Sequence, residues 1–130
     1  MNKEFSKHWK KSKQPRKKRK YAANAPLHIK RKMLSSNLSK DLRKKYSKRS
    51  LVIKKGDVAK IMRGKFKNKQ GKVINVDIKR CKVTIEGITI TKVDGSKVPV
   101  KMHPSNLQII ELNLDDKKRI KEKNNQEEKK

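Results

Sequence analysis

The sequence has few of the residues on which disulfides, metal sites and catalysis depend. Its 1 cysteine, Cys81, cannot form a disulfide within the chain, which agrees with a reducing compartment. The 3 histidines lie far apart and match no zinc-site spacing, so we expect no metal and no other cofactor. The 12 acidic residues are scattered, and we find no general acid, general base or nucleophile. We expect no enzyme and no small-molecule substrate.

Long apolar runs are also missing. No stretch approaches the ~20 apolar residues that cross a bilayer, and the N-terminus lacks the apolar core of a secretory signal. A helix lying on a membrane surface needs a broad apolar face, and the predicted helix around Leu42 is too short and too polar for one. We therefore expect a cytosolic protein without membrane insertion.

Positive charge is what the sequence has in excess. Its 130 residues include 40 lysines and arginines, for a formal net charge of +28. Because such a chain repels copies of itself, we expect a polyanionic partner and no homo-oligomer.

Charge and hydropathy divide the chain into four parts. We expect a basic extended arm over residues 1–23, short helices packing on a barrel over 24–50, the barrel itself over 51–112, and a charged tail or frayed helix over 113–130. Residues 1–50 hold 19 cations against 2 acids, and the barrel segment holds 14 against 5. Only that segment has enough apolar residues to bury a core.

Two short helices are predicted between the arm and the barrel. Asn24 is a possible cap for the first, which runs to about Met33 and is broken by the cluster Ser35–Asn37. Ser39 caps the second, which runs to about Tyr46. We expect its barrel-facing side to hold Leu38, Leu42 and Tyr46.

The stretch from 52 to 77 predicts two strands joined by a basic loop. Ala59 and Ile61 alternate with Val58, Lys60 and Met62, the period expected of a half-buried strand, and a loop without apolar period follows. Gly71 opens the second strand, in which Val73 and Val76 both reach the core only if a bulge follows the glycine.

Further strands follow at short spacing. Alternation predicts them at 82–86, 88–93, 97–101 and 107–110, with Asp94–Gly95 as a hairpin turn. Five or six such strands predict a mainly β fold, a small antiparallel barrel. The expected core is Val52, Ile61, Val73, Val76, Val83, Ile85, Ile90, Val98, Val100, Leu107 and Ile109.

Three groups of residues are candidates for RNA contact, because they bring cations close together or place aromatic rings among them. Phe5, Trp9 and Tyr21 are spaced among the arm's cations and could stack on unpaired bases. The candidates for RNA binding are Arg16, Lys17, Lys18, Arg19 and Lys20 in the arm, Arg43, Lys44 and Lys45 on the second helix, and Arg63, Lys65, Phe66, Lys67, Lys69 and Lys72 in the loop and its exit strand.

The loop region resembles the KOW motif of ribosomal proteins and transcription elongation factors. The matching residues are Lys55–Gly56–Asp57, Arg63–Gly64, Lys67 and Gly71–Lys72–Val73. The structural glycines Gly56, Gly64 and Gly71 are all present. The sequence departs where the family often has glycine, at Asn68, and where a polar residue is common, at Val58.

The flanking segments narrow the resemblance. SKQPRKKRKY, NAPLH, LSKDLRKKY, RSLVIKKGD and MHPSNLQI, spread from about Ser12 to Arg119, resemble the archaeal and eukaryotic branch of a universal large-subunit ribosomal protein, twenty-four in the bacterial scheme and twenty-six in the eukaryotic one. The resemblance implies an SH3-like barrel in the cytoplasmic large ribosomal subunit. It also implies direct binding to large-subunit ribosomal RNA near its 5′ end, an early role in assembly, neighbouring ribosomal proteins as partners, and a place near the polypeptide exit tunnel.

Two alternatives stay open. A KOW-type transcription elongation factor should carry a less basic domain ahead of the barrel, which residues 1–50 do not resemble. A non-specific RNA-binding chaperone fits the composition and would differ by its indifference to which RNA it meets.

Overall fold

A computed structural model describes residues 5–120 of the chain. It contains seven strands, three α-helices and two short 3-10 turns in those residues. In chain order they are α1 (Pro15–Asn24), α2 (Leu27–Met33), β1 (Ser35–Leu38), α3 (Lys40–Tyr46), β2 (Ser50–Val52), β3 (Val58–Ile61), β4 (Gln70–Asp77), β5 (Lys82–Thr91), β6 (Lys97–Met102), a 3-10 turn at Pro104–Asn106, β7 (Leu107–Glu111) and a 3-10 turn at Lys117–Arg119.

The strands form one sheet in the order β2-β1-β7-β3-β4-β5-β6, which confirms the mainly β, barrel-like fold class. The pairing is antiparallel except between β1 and β7, which run parallel. β1 occupies the Ser35–Asn37 cluster, where the sequence predicted only a helix break. Ser36 is buried there and donates a hydrogen bond to the carbonyl oxygen of Pro104 at 2.8 Å. Pairing with β2 on one side and β7 on the other makes this polar segment a strand.

The core is enclosed by the sheet. It includes residues before position 51, where the predicted barrel begins, as well as residues after it. Six of the expected members are buried, while Val52, Val76 and Val100 pack against the core only partly. The prediction that Ile90 and Val98 belong to the core was wrong, because both are exposed. They lie in the outer half of the β5–β6 hairpin, where the two strands pair with each other and β4 does not reach. The core also includes Leu34, Ile53, Ala59 and Ile88, which the expected core omitted. Leu38 is buried as well, but it lies in β1 and not on the second helix where it was expected.

The bulge predicted in β4 is present. The register between β4 and β5 shifts between Val73 and Asn75, and this shift lets Val73 and Val76 both contact the core. Gly71 lies just before the bulge, where a Cβ atom would come within 2.7 Å of the carbonyl oxygen of Glu86. The strands therefore approach too closely at this point for any side chain.

From Pro15 onward the basic arm is helical, where the sequence predicted an extended chain, and residues 1–4 lie outside the described residues. Pro15 starts α1, a position where its missing N–H costs nothing, and Ala22 and Ala23 favour the helix in its last turn. Asn24 ends α1 and does not cap the next helix, since the N-cap of α2 is Pro26.

The second predicted helix is confirmed as α3. The side chain of Ser39 caps it, accepting a hydrogen bond from the backbone N–H of Leu42 at 3.4 Å. Leu42 packs against the core, and Ser47 ends the helix in the left-handed conformation.

The segment after the barrel is anchored where a loose tail or frayed helix was expected. Arg119 forms an ion pair with Asp57 at 2.6 Å, with 4% of the arginine side chain and 0% of the aspartate side chain exposed. Asp57 also accepts hydrogen bonds from the backbone N–H groups of Lys54 and Asn113. Residues 121–130, the rest of the predicted tail, lie outside the described residues.

Candidate nucleic-acid interface

The loop between β3 and β4 is closed at its base by main-chain hydrogen bonds. The N–H of Ile61 donates to the carbonyl of Lys69 at 2.9 Å, and the N–H of Asn68 donates to the carbonyl of Ile61 at 2.8 Å. Gly64 and Asn68 have positive φ angles, 92° and 69°. Asparagine tolerates this region better than other residues with a Cβ atom. The departure from glycine at position 68 is therefore compatible with a tight loop.

The cations of the loop project into solvent around one anchored ring. Arg63, Lys65 and Lys67 are exposed, and the ammonium group of Lys69 lies 5.5 Å from the centroid of the Phe66 ring. Phe66 is half-buried and packs against the core, so part of its surface already holds the loop in place. Base stacking by Phe66 stays a prediction.

The strand that leaves the loop extends the positive surface. Lys72 is exposed and lines a shallow groove of about 540 Å³ together with Lys55 and Ile74. Sequence reasoning used Lys55 only as part of the motif and did not group it with Lys72. The two lysines are 17 positions apart, and the pairing follows from the return of β4 past the turn at Gly56, whose N–H donates to the carbonyl of Val73.

The three candidate cations on α3 differ in their exposure to solvent. Lys44 and Lys45 are exposed, whereas Arg43 is half-buried and its Nε atom is buried without an acceptor in the described part of the chain. A buried donor without a partner is unfavourable, but a buried atom is also closed to an external ligand. Lys44 and Lys45 are therefore the cations of this helix that a phosphate can reach directly.

Five of the arm's cations lie next to one another in the first half of α1. Arg16 to Lys20 follow Pro15 directly, all are exposed, and no acidic residue lies in the first turn. Five adjacent cations repel one another, and the positive end of the helix dipole adds to that repulsion. A nearby polyanion would relieve both effects.

The basic loop and α3 do not form one compact cluster. β1 runs parallel to β7, and β3 runs antiparallel to it. Because α3 follows β1 and the basic loop follows β3, the two leave the sheet in opposite directions. A ligand that contacts both must extend along the barrel.

Among residues 5–120, no group of three or more metal-ligating side chains comes together. Over the same range no helix combines the length and apolar character needed to cross a membrane.

Comparison with known proteins gives matches that cover most of the chain. Residues 12–124 match the sequence profile of a family described as the ribosomal proteins L26 of eukaryotes and L24 of archaea. A curated protein of Methanothrix thermoacetophila, named large ribosomal subunit protein uL24, is 49% identical over 110 residues. That alignment spans 85% of this chain and 95% of the archaeal protein.

Proposed function

The chain belongs to the family of eukaryotic L26 and archaeal L24 ribosomal proteins, and we propose that it binds large-subunit ribosomal RNA directly as a structural constituent of the cytoplasmic large subunit. The observation that carries this proposal is the tightly closed loop between β3 and β4, which exposes several cations. It lies within the residues that match the family profile. The proposal includes binding near the 5′ end of that RNA, an early role in subunit assembly, contacts with neighbouring ribosomal proteins and a place near the exit tunnel. It includes no catalytic step.

The loop supports RNA binding because its shape is fixed before the ligand arrives. The hydrogen bonds at its base and the packing of Phe66 limit the conformations that binding must select. Lysines and arginines on such a loop contact phosphates, and such contacts fix position without reading sequence. We therefore assign phosphate contact to Arg63, Lys65, Lys67, Lys69 and Lys72.

Specificity then comes from the separation of the basic groups. A folded RNA that contacts the loop, α3 and α1 together must match their spacing, and structured RNA is recognised largely by shape. A non-specific chaperone needs no such match, because charge alone holds its ligand. An elongation factor of KOW type remains the other alternative, and the family assignment over residues 12–124 disfavours it.

The loop's contribution can be tested by charge reversal. Lys67→Glu with Lys69→Glu should weaken binding to a folded large-subunit RNA fragment by about tenfold or more, because two phosphate contacts become repulsive. Lys79→Glu with Arg80→Glu is the matched control. It changes the net charge equally on two exposed residues in the β4–β5 turn, at the far end of β4 from the loop.

Affinity would be measured by fluorescence anisotropy at two salt concentrations, and folding by circular dichroism. The loop pair should lose more affinity than the control pair and should flatten the salt dependence, while both keep the wild-type spectrum. Equal losses for the two pairs would mean that net charge alone binds RNA, and this result would remove the loop from the interface.

A further inference from the structure

The arm contains an aromatic cluster that is not part of the barrel core. Trp9 stacks on Tyr21 with ring centroids 4.1 Å apart and planes at 17°, and Phe5 lies 4.7 Å from the same tyrosine. These are three of the chain's five aromatic residues, yet all three stand in its most basic segment. Each ring remains half-buried, so part of the cluster's surface is open to solvent.

The open surface of the cluster lines a cleft of about 520 Å³. Ligand sites of small-molecule size commonly span ~300–1,000 Å³, so the cleft can hold a single nucleotide. Its lining combines the three aromatic residues with Lys11, Lys17 and Lys20. Within the described residues no acidic side chain lines it.

We propose that this cleft, formed by Phe5, Trp9 and Tyr21 and bordered by Lys11, Lys17 and Lys20, binds one unpaired nucleotide of the RNA. This inference rests on the proposed function and names a second kind of contact for it. The base stacks on the exposed ring surface, and the lysines meet the phosphates on either side of it.

The chemistry of the walls favours this occupant over other anions. An acidic peptide would satisfy the lysines but would leave the ring faces without a flat partner. Duplex RNA would also reach the lysines, but its bases are stacked inside the helix and cannot enter. Asn24 also lines the cleft, and its side-chain amide can both donate and accept hydrogen bonds at the edge of a base.

Trp9 provides a direct optical probe, because it is the only tryptophan in the chain. A base stacked on an indole quenches the indole fluorescence. A phosphate contact without stacking changes this fluorescence little. The full-length protein would be titrated with single-stranded oligoadenylate of ten nucleotides and, separately, with an abasic ribose-phosphate strand of the same length. We expect quenching by the first and little change with the second. Equal changes with both strands would overturn the proposal.

Affinity measurements on variants give a second test. Trp9→Leu should weaken oligoadenylate binding by roughly tenfold, within the range seen when a stacking aromatic is removed, and should leave binding of the abasic strand unchanged. His8→Leu is the control, since His8 is exposed beside Trp9 in sequence but does not line the cleft. Equal losses for the two variants would also overturn the proposal.

The outcomes separate this inference from the proposed function. Salt-dependent binding to folded ribosomal RNA, without base-dependent quenching of Trp9, would overturn the cleft assignment and leave the proposed function standing. Absence of binding to any RNA would overturn the proposed function and the cleft together.

Discussion

Breaking the ion pair between Arg119 and Asp57 should cost more stability than breaking any other charged contact in the described residues. Arg119 reaches both carboxylate oxygens at 2.6 Å and also donates to the carbonyl groups of Asn113 and Val52. Neither partner is accessible enough for solvent to screen the pair. The contact joins the turn before β3 to the segment that follows β7.

Replacing Arg119 with methionine would leave the Asp57 carboxylate buried without its cation. Removing one partner of a buried pair costs ~3–5 kcal/mol, and domains of this size have total stabilities of about 5–15 kcal/mol. Because each kcal/mol shifts the melting temperature by ~4–8 °C in small domains, the Arg119→Met variant should melt at least ten degrees lower, as a rough figure. Thermal and urea unfolding followed by circular dichroism would measure this.

Lys54→Met is the matched control, because Lys54 pairs with Asp116 at 2.6 Å in the same region but on the surface. Exposed pairs contribute little, so its melting temperature should change far less. The double variant Asp57→Asn, Arg119→Met should recover part of the loss, since no charge is then buried alone. Equal shifts for Arg119→Met and Lys54→Met would refute the reasoning.

Two further changes test the barrel itself. Gly71→Ala should lower the free energy of unfolding by ~1–3 kcal/mol, because the added Cβ atom would lie 2.7 Å from the backbone oxygen of Glu86. Urea unfolding indistinguishable from that of the wild type would contradict this close approach. Burial, together with the charge of Lys82, lowers the pKa of His103 below its ordinary value of 6.5. The unfolded chain therefore binds a proton more readily, and the stability linked to His103 is present above about pH 6.5 and lost as the pH falls below it. The His103 side chain also caps the 3-10 turn at Pro104–Asn106, accepting a hydrogen bond from the backbone N–H of Ser105 at 3.3 Å. The drop in melting temperature from about pH 7.5 to 5.5 should be smaller in His103→Asn, which keeps a capping side chain, and an unchanged drop would exclude this role.

Local patterns predicted the parts of the fold that local chemistry determines. Alternation located β3 and β7, Asp94–Gly95 marked the hairpin turn, and Ser39 identified the cap of α3. The bulge in β4 followed from two valines that strict alternation would have separated. Each of these signals lies within a few residues of the structure it predicts.

The features that were missed depend on distant partners. β1 is polar, with Ser35, Ser36 and Asn37, and becomes a strand because β7 and β2 pair with it. Arg119 and Asp57 are 62 positions apart, and nothing near either residue marks it as half of a buried pair. Burial in these cases is a property of the assembled sheet and cannot be derived from a short window.

The candidate interface also has parts that local sequence predicts and parts that depend on distant residues. The cations of the loop and α1 stand out as charge runs, and the sequence located them without any structure. The stacking of Trp9 on Tyr21 and the grouping of Lys55 with Lys72 join residues 12 and 17 positions apart, so they depend on how the chain turns back. How these residues divide the binding energy stays a prediction.

Sedimentation of cell extract through sucrose, before and after a high-salt wash, tests the central claim most directly. Salt weakens contacts made by charge alone, while a ligand matched to several separated sites is retained. Our account predicts that the protein stays with the large ribosomal subunit after the wash. Release into the soluble fraction, with equal affinity for unrelated RNA in a filter-binding control, would contradict it and would favour a non-specific chaperone.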